Sequence, residues 1–169
     1  TIEEALALVQ RDTKRKKDAV PSSGSDGDSD NNSDDWSPIR VPGNWMLQGF
    51  DDVPIYTNMK YPFPCRPPIV PHANPTGCYR LRVELPRDWQ DDDDDEDNGE
   101  GEEQQLTLLL HGIESACFVF WNGEELGFFK DSRLPSEFAI PSRLWRKDNN
   151  RIEESSVLHL VVARWSDGR

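Results

Sequence analysis

The sequence is short of the groups that most often announce a chemistry. Its 169 residues contain only three cysteines, Cys65, Cys78 and Cys117. An odd number of widely spaced thiols cannot form a complete disulfide framework. Without a CxxC pair they offer no zinc site, and they read as reduced structural thiols. Long apolar runs are missing, so no segment is expected to span a bilayer as a helix. The N-terminus lacks a charged stretch followed by an apolar one, the pattern of a secretory leader. That points to a cytoplasmic chain with no membrane partner. No basic stripe with interleaved aromatics is present, which argues against nucleic acid as a partner. The GxSxG, HExxH and phosphate-loop patterns are absent as well.

Apolar residues make up 35% of the chain, less than is usual for a globular domain. The deficit is local. Residues 18–35 and 91–103 together hold sixteen acidic residues and no Lys or Arg. The net charge is −13, and without these two stretches the remainder carries +3. The acidity therefore belongs to two solvated inserts and not to the body of the domain. They divide the chain into residues 1–35, read as a short helix and a disordered acidic linker, and a main domain at 36–169. The main domain carries a disordered acidic insertion at 90–104.

Residues 2–17 read as the helix, because Ile2, Ala5, Leu6 and Val9 recur at helical spacing. The basic run Lys14 to Lys17 suits the C-terminal end of its dipole. From Trp36 to Pro75 the chain is studded with proline, which rules out helix or central strand there. Trp45, Phe50, Tyr56, Tyr61 and Phe63 bring enough aromatic surface to expect order, so the segment reads as extended and draped over a scaffold. Strands are expected at 78–85, 105–111, 116–121, 124–130 and 156–164. The first alternates apolar and polar residues with period two. Asn122-Gly123 joins the third to the fourth, since both residues tolerate the positive φ of a tight hairpin turn. Strands linked without intervening helices imply an all-β fold, an antiparallel β-sandwich.

Hydrolysis of a glycosidic bond needs two carboxylates held roughly 5–10 Å apart. Half of the 32 acids of this chain lie in the two acidic runs, where nothing would hold them rigidly. Glu114 and Glu137 adjoin ordered segments and read as surface groups. His72, His111 and His159 are far apart, and none sits beside a nucleophile. No catalytic residue is assigned. Three segments are more specific than sandwich packing requires. Asn74-Pro75-Thr76-Gly77-Cys78-Tyr79 is at least a turn leading into a strand. Residues 130–138, from Lys130 through Asp131-Ser132-Arg133-Leu134-Pro135-Ser136-Glu137 to Phe138, are at least a polar loop with Asp131 and Arg133 paired. Arg164-Trp165-Ser166-Asp167-Gly168 is at least a strand end running into a turn.

Together with Val41-Pro42-Gly43-Asn44-Trp45, Pro54-Ile55-Tyr56-Thr57-Asn58 and Trp121-Asn122-Gly123, these segments resemble the N-terminal jelly-roll domain of glycoside hydrolase family 2, in its β-galactosidase branch. They occur in the family's order across residues 36–168. The resemblance implies a galactose-binding-like jelly roll. It implies a fragment of an enzyme hydrolysing terminal β-D-galactosides, with this domain lining the active site. By resemblance, Asn74 contacts bound galactoside, and Asp167 contacts a galactose hydroxyl and a sodium ion. An amide can donate to and accept from sugar hydroxyls, and a carboxylate is a hard ligand for a hard cation. The other sodium ligands, the magnesium ligands and both catalytic glutamates belong, in the family, to a central barrel that this sequence lacks. The implied partners are a β-galactoside sugar, the remaining domains of the same enzyme and further copies in a homo-oligomer. Residues 1–35 have no counterpart of the family's upstream strands. The chain begins at Thr1 and stops two residues after Asp167, so a sandwich incomplete at both ends is expected. The alternative reading is a free-standing carbohydrate-binding or interaction module, with exposed aromatics of residues 45–63 stacking on sugar.

Overall fold

A computed structural model describes residues 2–18, 36–52, 54, 63, 66, 69–71, 74–86, 89, 105–146 and 155–164. The linker 19–35, the acidic run 91–103, Cys65, Tyr56 and Tyr61 lie outside these. No helix among the described residues is long and apolar enough to cross a membrane.

The described chain forms α1 (Ile2–Asp18), β1 (Thr76–Val83), β2 (Leu106–Leu110), β3 (Ala116–Trp121), β4 (Glu124–Phe129), β5 (Ser136–Ile140) and β6 (Ser156–Ala163). Single 3-10 turns occur at Trp45–Leu47 and Ser142–Leu144. One sheet has the order β1-β6-β3-β4 and the other pairs β2 with β5, all antiparallel. The main core lies between the two sheets. Cys117, Val119, Trp121, Leu158 and Val162 from the larger sheet meet Leu106, Leu108, Leu110, Phe138 and Ile140 from the smaller. Antiparallel sheets face to face make the sandwich that the strand pattern predicts.

The larger sheet is covered on its other face too. Ala5 and Val9 of α1 are 8% and 2% exposed and pack with Phe120 and Val161. Leu6, Cys78 and Phe118 border this second cluster. Residues of one parity in β3 therefore face the sandwich core and those of the other parity face the helix. Burial on both faces explains why β3 and β6 read as nearly continuous apolar runs, without the alternation of β1. Glu3 and Glu4 stand in the first turn of α1, where they favour the helix dipole. Asp12 on the same helix bridges Arg80 of β1 at 2.8 Å and the buried His159 of β6 at 2.9 Å. Arg80 also lies 4.5 Å above the ring of Trp36.

β5 differs from the sequence expectation, which left residues 130–138 as a polar loop. Residues 130–135 are loop, but Ser136–Ile140 pairs with β2 and turns Phe138 and Ile140 into the core. Only two large apolar residues mark this strand, too few to show a period. The pairing of Asp131 with Arg133 runs through the backbone. Asp131 Oδ1 accepts the N–H groups of Arg133 and Leu134 at 2.9 and 3.2 Å, which shapes the turn.

The β3–β4 hairpin turns at Asn122 and Gly123, with φ of 49° and 82°. Asn122 also ties the hairpin to its surroundings. Its Oδ1 accepts the Val157 N–H at 2.8 Å, and its Nδ2 donates to Leu144 O and Ser156 Oγ at 3.0 and 3.3 Å. The indole N–H groups of Trp121 and Trp145 donate to Leu144 O and Ile140 O, so both rings are buried without an orphaned donor. At the surface, Arg143 grips Glu124 with two bonds of 2.5 and 2.6 Å and holds its carboxyl below the usual range.

Replacing Asn122 with Ala removes three hydrogen bonds and places a residue poorly suited to positive φ in the turn. The expected loss of stability is about 2–4 kcal/mol, read as a lower urea midpoint with an unchanged denaturant slope.

Candidate functional site

Antiparallel pairing brings four strand ends together. Thr76, where β1 begins, pairs with Ala163, where β6 ends. Ala163 also faces Ala116, where β3 begins, and Cys117 faces Phe129, where β4 ends. Residues 74–75, 112–115, 130–135 and 164 therefore gather at one end of the larger sheet. A Cβ on Gly112 would lie 3.4 Å from Ser132 O, which places two of these loops in contact. The three specific segments singled out in the sequence all have residues at this end.

Backbone bonds close the edge. The Arg164 N–H donates to Pro75 O at 3.0 Å and the Ser115 N–H to Ala163 O at 3.1 Å. Ser115 Oγ donates to Arg164 O at 3.0 Å, and Thr76 Oγ1 to Asn74 O at 3.0 Å. The segment preceding β1 in the described chain folds over this edge. Gln48 clasps the backbone of Arg40, accepting its N–H at 2.8 Å and donating to its O at 3.0 Å. Trp45 stacks on Tyr79, with ring centroids 6.3 Å apart and planes 28° apart. Its Nε1 donates to Asp52 Oδ2 at 2.7 Å. The other oxygen of Asp52 pairs with the guanidinium of Arg164.

Asn74 stands at this edge, partly buried, directly before Pro75. An amide can both donate to and accept from a hydroxyl. Asp167 lies outside the described residues; Arg164, the last described residue before it, is bonded to the peptide next to Asn74. Among the described residues no three His, Cys, Asp or Glu groups cluster as metal ligands would. Glu114 and Glu137 are exposed. Sequence reasoning missed Asp52 and Ser115. An aspartate after Phe50 in a loop reads like every other acid of this chain, and no local signal marks it as an ion-pair partner.

Gly77 is required by close approach. A Cβ there would lie 2.5 Å from the ring of Trp45. Gly77→Ala is expected to lift Trp45 from the edge and cost about 1–3 kcal/mol by overpacking, visible as a lower melting temperature and altered tryptophan fluorescence.

Cys78 and Cys117 are free thiols. Burial pushes Cys78 from 9.0 up to about 11, with Asp12 adding to the effect, and pushes Cys117 up to about 12. Folding therefore disfavours the thiolate. The stability these thiols contribute is fully present below about pH 9 and is lost as pH rises through the folded values. Both should resist alkylation at pH 8 in the native state and react once urea unfolds the chain, as mass spectrometry would record.

Comparison with known proteins gives this edge a context. Residues 16–169 match the family model described as glycosyl hydrolases family 2, sugar binding domain. A β-galactosidase of Psychromonas ingrahamii is 42% identical over 153 residues, covering 90% of this chain and 13% of that protein. A β-galactosidase of Aeromonas hydrophila is 43% identical over 137 residues, covering 77% of this chain and 12% of that protein. Among solved structures, Bacteroides uniformis β-glucuronidase 2 covalently bound to cyclophellitol-6-carboxylate aziridine is 19% identical. That match covers 81% of this chain and 12% of the other, with a TM-score of 0.49. The chain thus spans about one-eighth of the length of these curated relatives. With the family model matching nearly the whole of it, the chain belongs to the sugar-binding domain family of the family 2 glycosyl hydrolases.

Proposed function

We propose that this chain is the non-catalytic, sugar-facing part of a β-galactosidase that hydrolyses terminal β-D-galactosides. The observation that carries the reading is the gathering of strand ends around Asn74, in a chain 42% identical to a β-galactosidase. Asn74 binds the galactoside through its side-chain amide and fixes the orientation of the ring. Asp167 accepts from a second hydroxyl and supplies one oxygen ligand to a sodium ion. The other sodium ligands, like those of magnesium, come from elsewhere in the enzyme. Bound sodium would supply a fixed positive charge beside the sugar oxygens.

The bond-breaking carboxylates are two glutamates outside this chain, working in the retaining mode at about 5 Å separation. This chain orients the sugar and forms one wall that limits access of water. Its partners are the remaining domains of the same enzyme and, in the assembled protein, further copies.

A free-standing carbohydrate-binding module is the competing reading. It would use aromatic rings as stacking platforms for sugar. Trp45 is committed instead to Tyr79 and Asp52, whereas Phe50 of the same stretch is exposed.

The test is binding of isopropyl β-D-thiogalactoside to the full chain, followed by NMR. Saturable binding is expected, weakened about threefold to tenfold in Asn74→Ala, as loss of hydrogen bonds to a neutral ligand predicts. The chain alone should release no nitrophenol from nitrophenyl β-D-galactoside. No binding, or binding indifferent to Asn74→Ala, would contradict the proposal, and binding by the chain alone that is no weaker than after joining to the remaining domains of a β-galactosidase would favour the free-standing module instead.

A further inference from the structure

Asp52 touches two different parts of the edge at once. One carboxylate oxygen pairs with the Arg164 guanidinium and the other accepts the Trp45 indole N–H at 2.7 Å. The side chains of Asp52 and Arg164 are only 11% and 10% exposed. Charges so far withdrawn from water are stable only when they answer each other, so each fixes the other's place. Both partners then act on the strand that follows Asn74. Arg164 donates its N–H to Pro75 O, one residue beyond Asn74, and accepts Ser115 Oγ at its own carbonyl. Trp45 lies over Gly77, three residues beyond Asn74. The backbone leading away from Asn74 is thus held at Pro75 and at Gly77, and both holds run back to one carboxylate.

We infer that Asp52 is a positioning residue for the sugar-binding edge, setting the place of Asn74 through Arg164 and Trp45. The inference rests on the reading of Asn74 as a galactoside contact. A merely structural acid would lower global stability when removed and leave the edge as ordered as the rest of the sheet. A positioning acid loosens the edge selectively and weakens ligand binding in a protein that is still folded.

The experiment uses the full chain carrying Asp52→Asn, which keeps the shape and an acceptor for the indole but removes the charge facing Arg164. Amide hydrogen exchange at Arg164 and Ser115 is expected to quicken about tenfold or more. Val119 and Val161, at the centre of the sheet, should exchange at the wild-type rate. Affinity for isopropyl β-D-thiogalactoside should fall about threefold to tenfold, as in Asn74→Ala, and Asp52→Glu should recover part of it. Should Asp52→Asn not fold, Trp45→Phe removes the indole donor together with part of the ring over Gly77 and carries the same measurements. Unchanged exchange at Arg164 and Ser115, or equal acceleration throughout the sheet, overturns the inference. Selective loosening in a chain whose wild type binds no galactoside upholds the positioning of the edge and removes the sugar reading instead.

Discussion

β6 lies between β1 and β3, and the rest of the domain depends on that position. Its pairing with both neighbours sets the register that brings Thr76, Ala116 and Ala163 to one level. Its side chains of one parity fill the sandwich core, and those of the other parity floor the groove in which α1 lies. A slip by one residue would exchange the two sets and place His159 where Leu158 now packs. Both faces being buried, such a slip has no low-cost form, and the edge at Thr76, Ala116 and Ala163 inherits its order from this strand.

Two acidic side chains fasten outlying segments to the sheet in the same way. Asp12 joins α1 to β1 and β6, and Asp52 joins the 45–52 segment to the end of β6 and, through Trp45, to the start of β1. Each carboxylate bridges two donors. Neither pairing is a strong source of net stability, since desolvation offsets most of the attraction. What they provide is selectivity of geometry: a segment displaced from its place leaves a charge without its partner. In a chain with 32 acidic residues, these two are set apart only by what the fold puts beside them.

That contrast explains how far the sequence was legible. β3, β6 and the Asn122-Gly123 turn are plain in it, because continuous apolar runs and a turn pair are local signals. The helix was legible from Ile2, Ala5, Leu6 and Val9, but the surface receiving it was not, because Phe120 and Val161 are distant in sequence. β5 was missed because two apolar residues make no period. Asn74 emerged from resemblance to a family and not from its chemistry, and Asp167 lies beyond the described residues. Asp52 was invisible, since an ion pair spanning 112 residues leaves no mark in either neighbourhood.

The order of the strands along the chain differs from their order in the sheet, and a ribosome emits the former. β1 and β3 both precede β6, yet neither touches the other without it. Until β6 emerges each presents an open edge, the state in which chains most readily pair with the wrong neighbour. The helix waits as well, for His159 is made 147 residues after Asp12. Docking of α1 and closure of the edge at Thr76 and Ala116 therefore both wait for β6, which is the shared neighbour of all three.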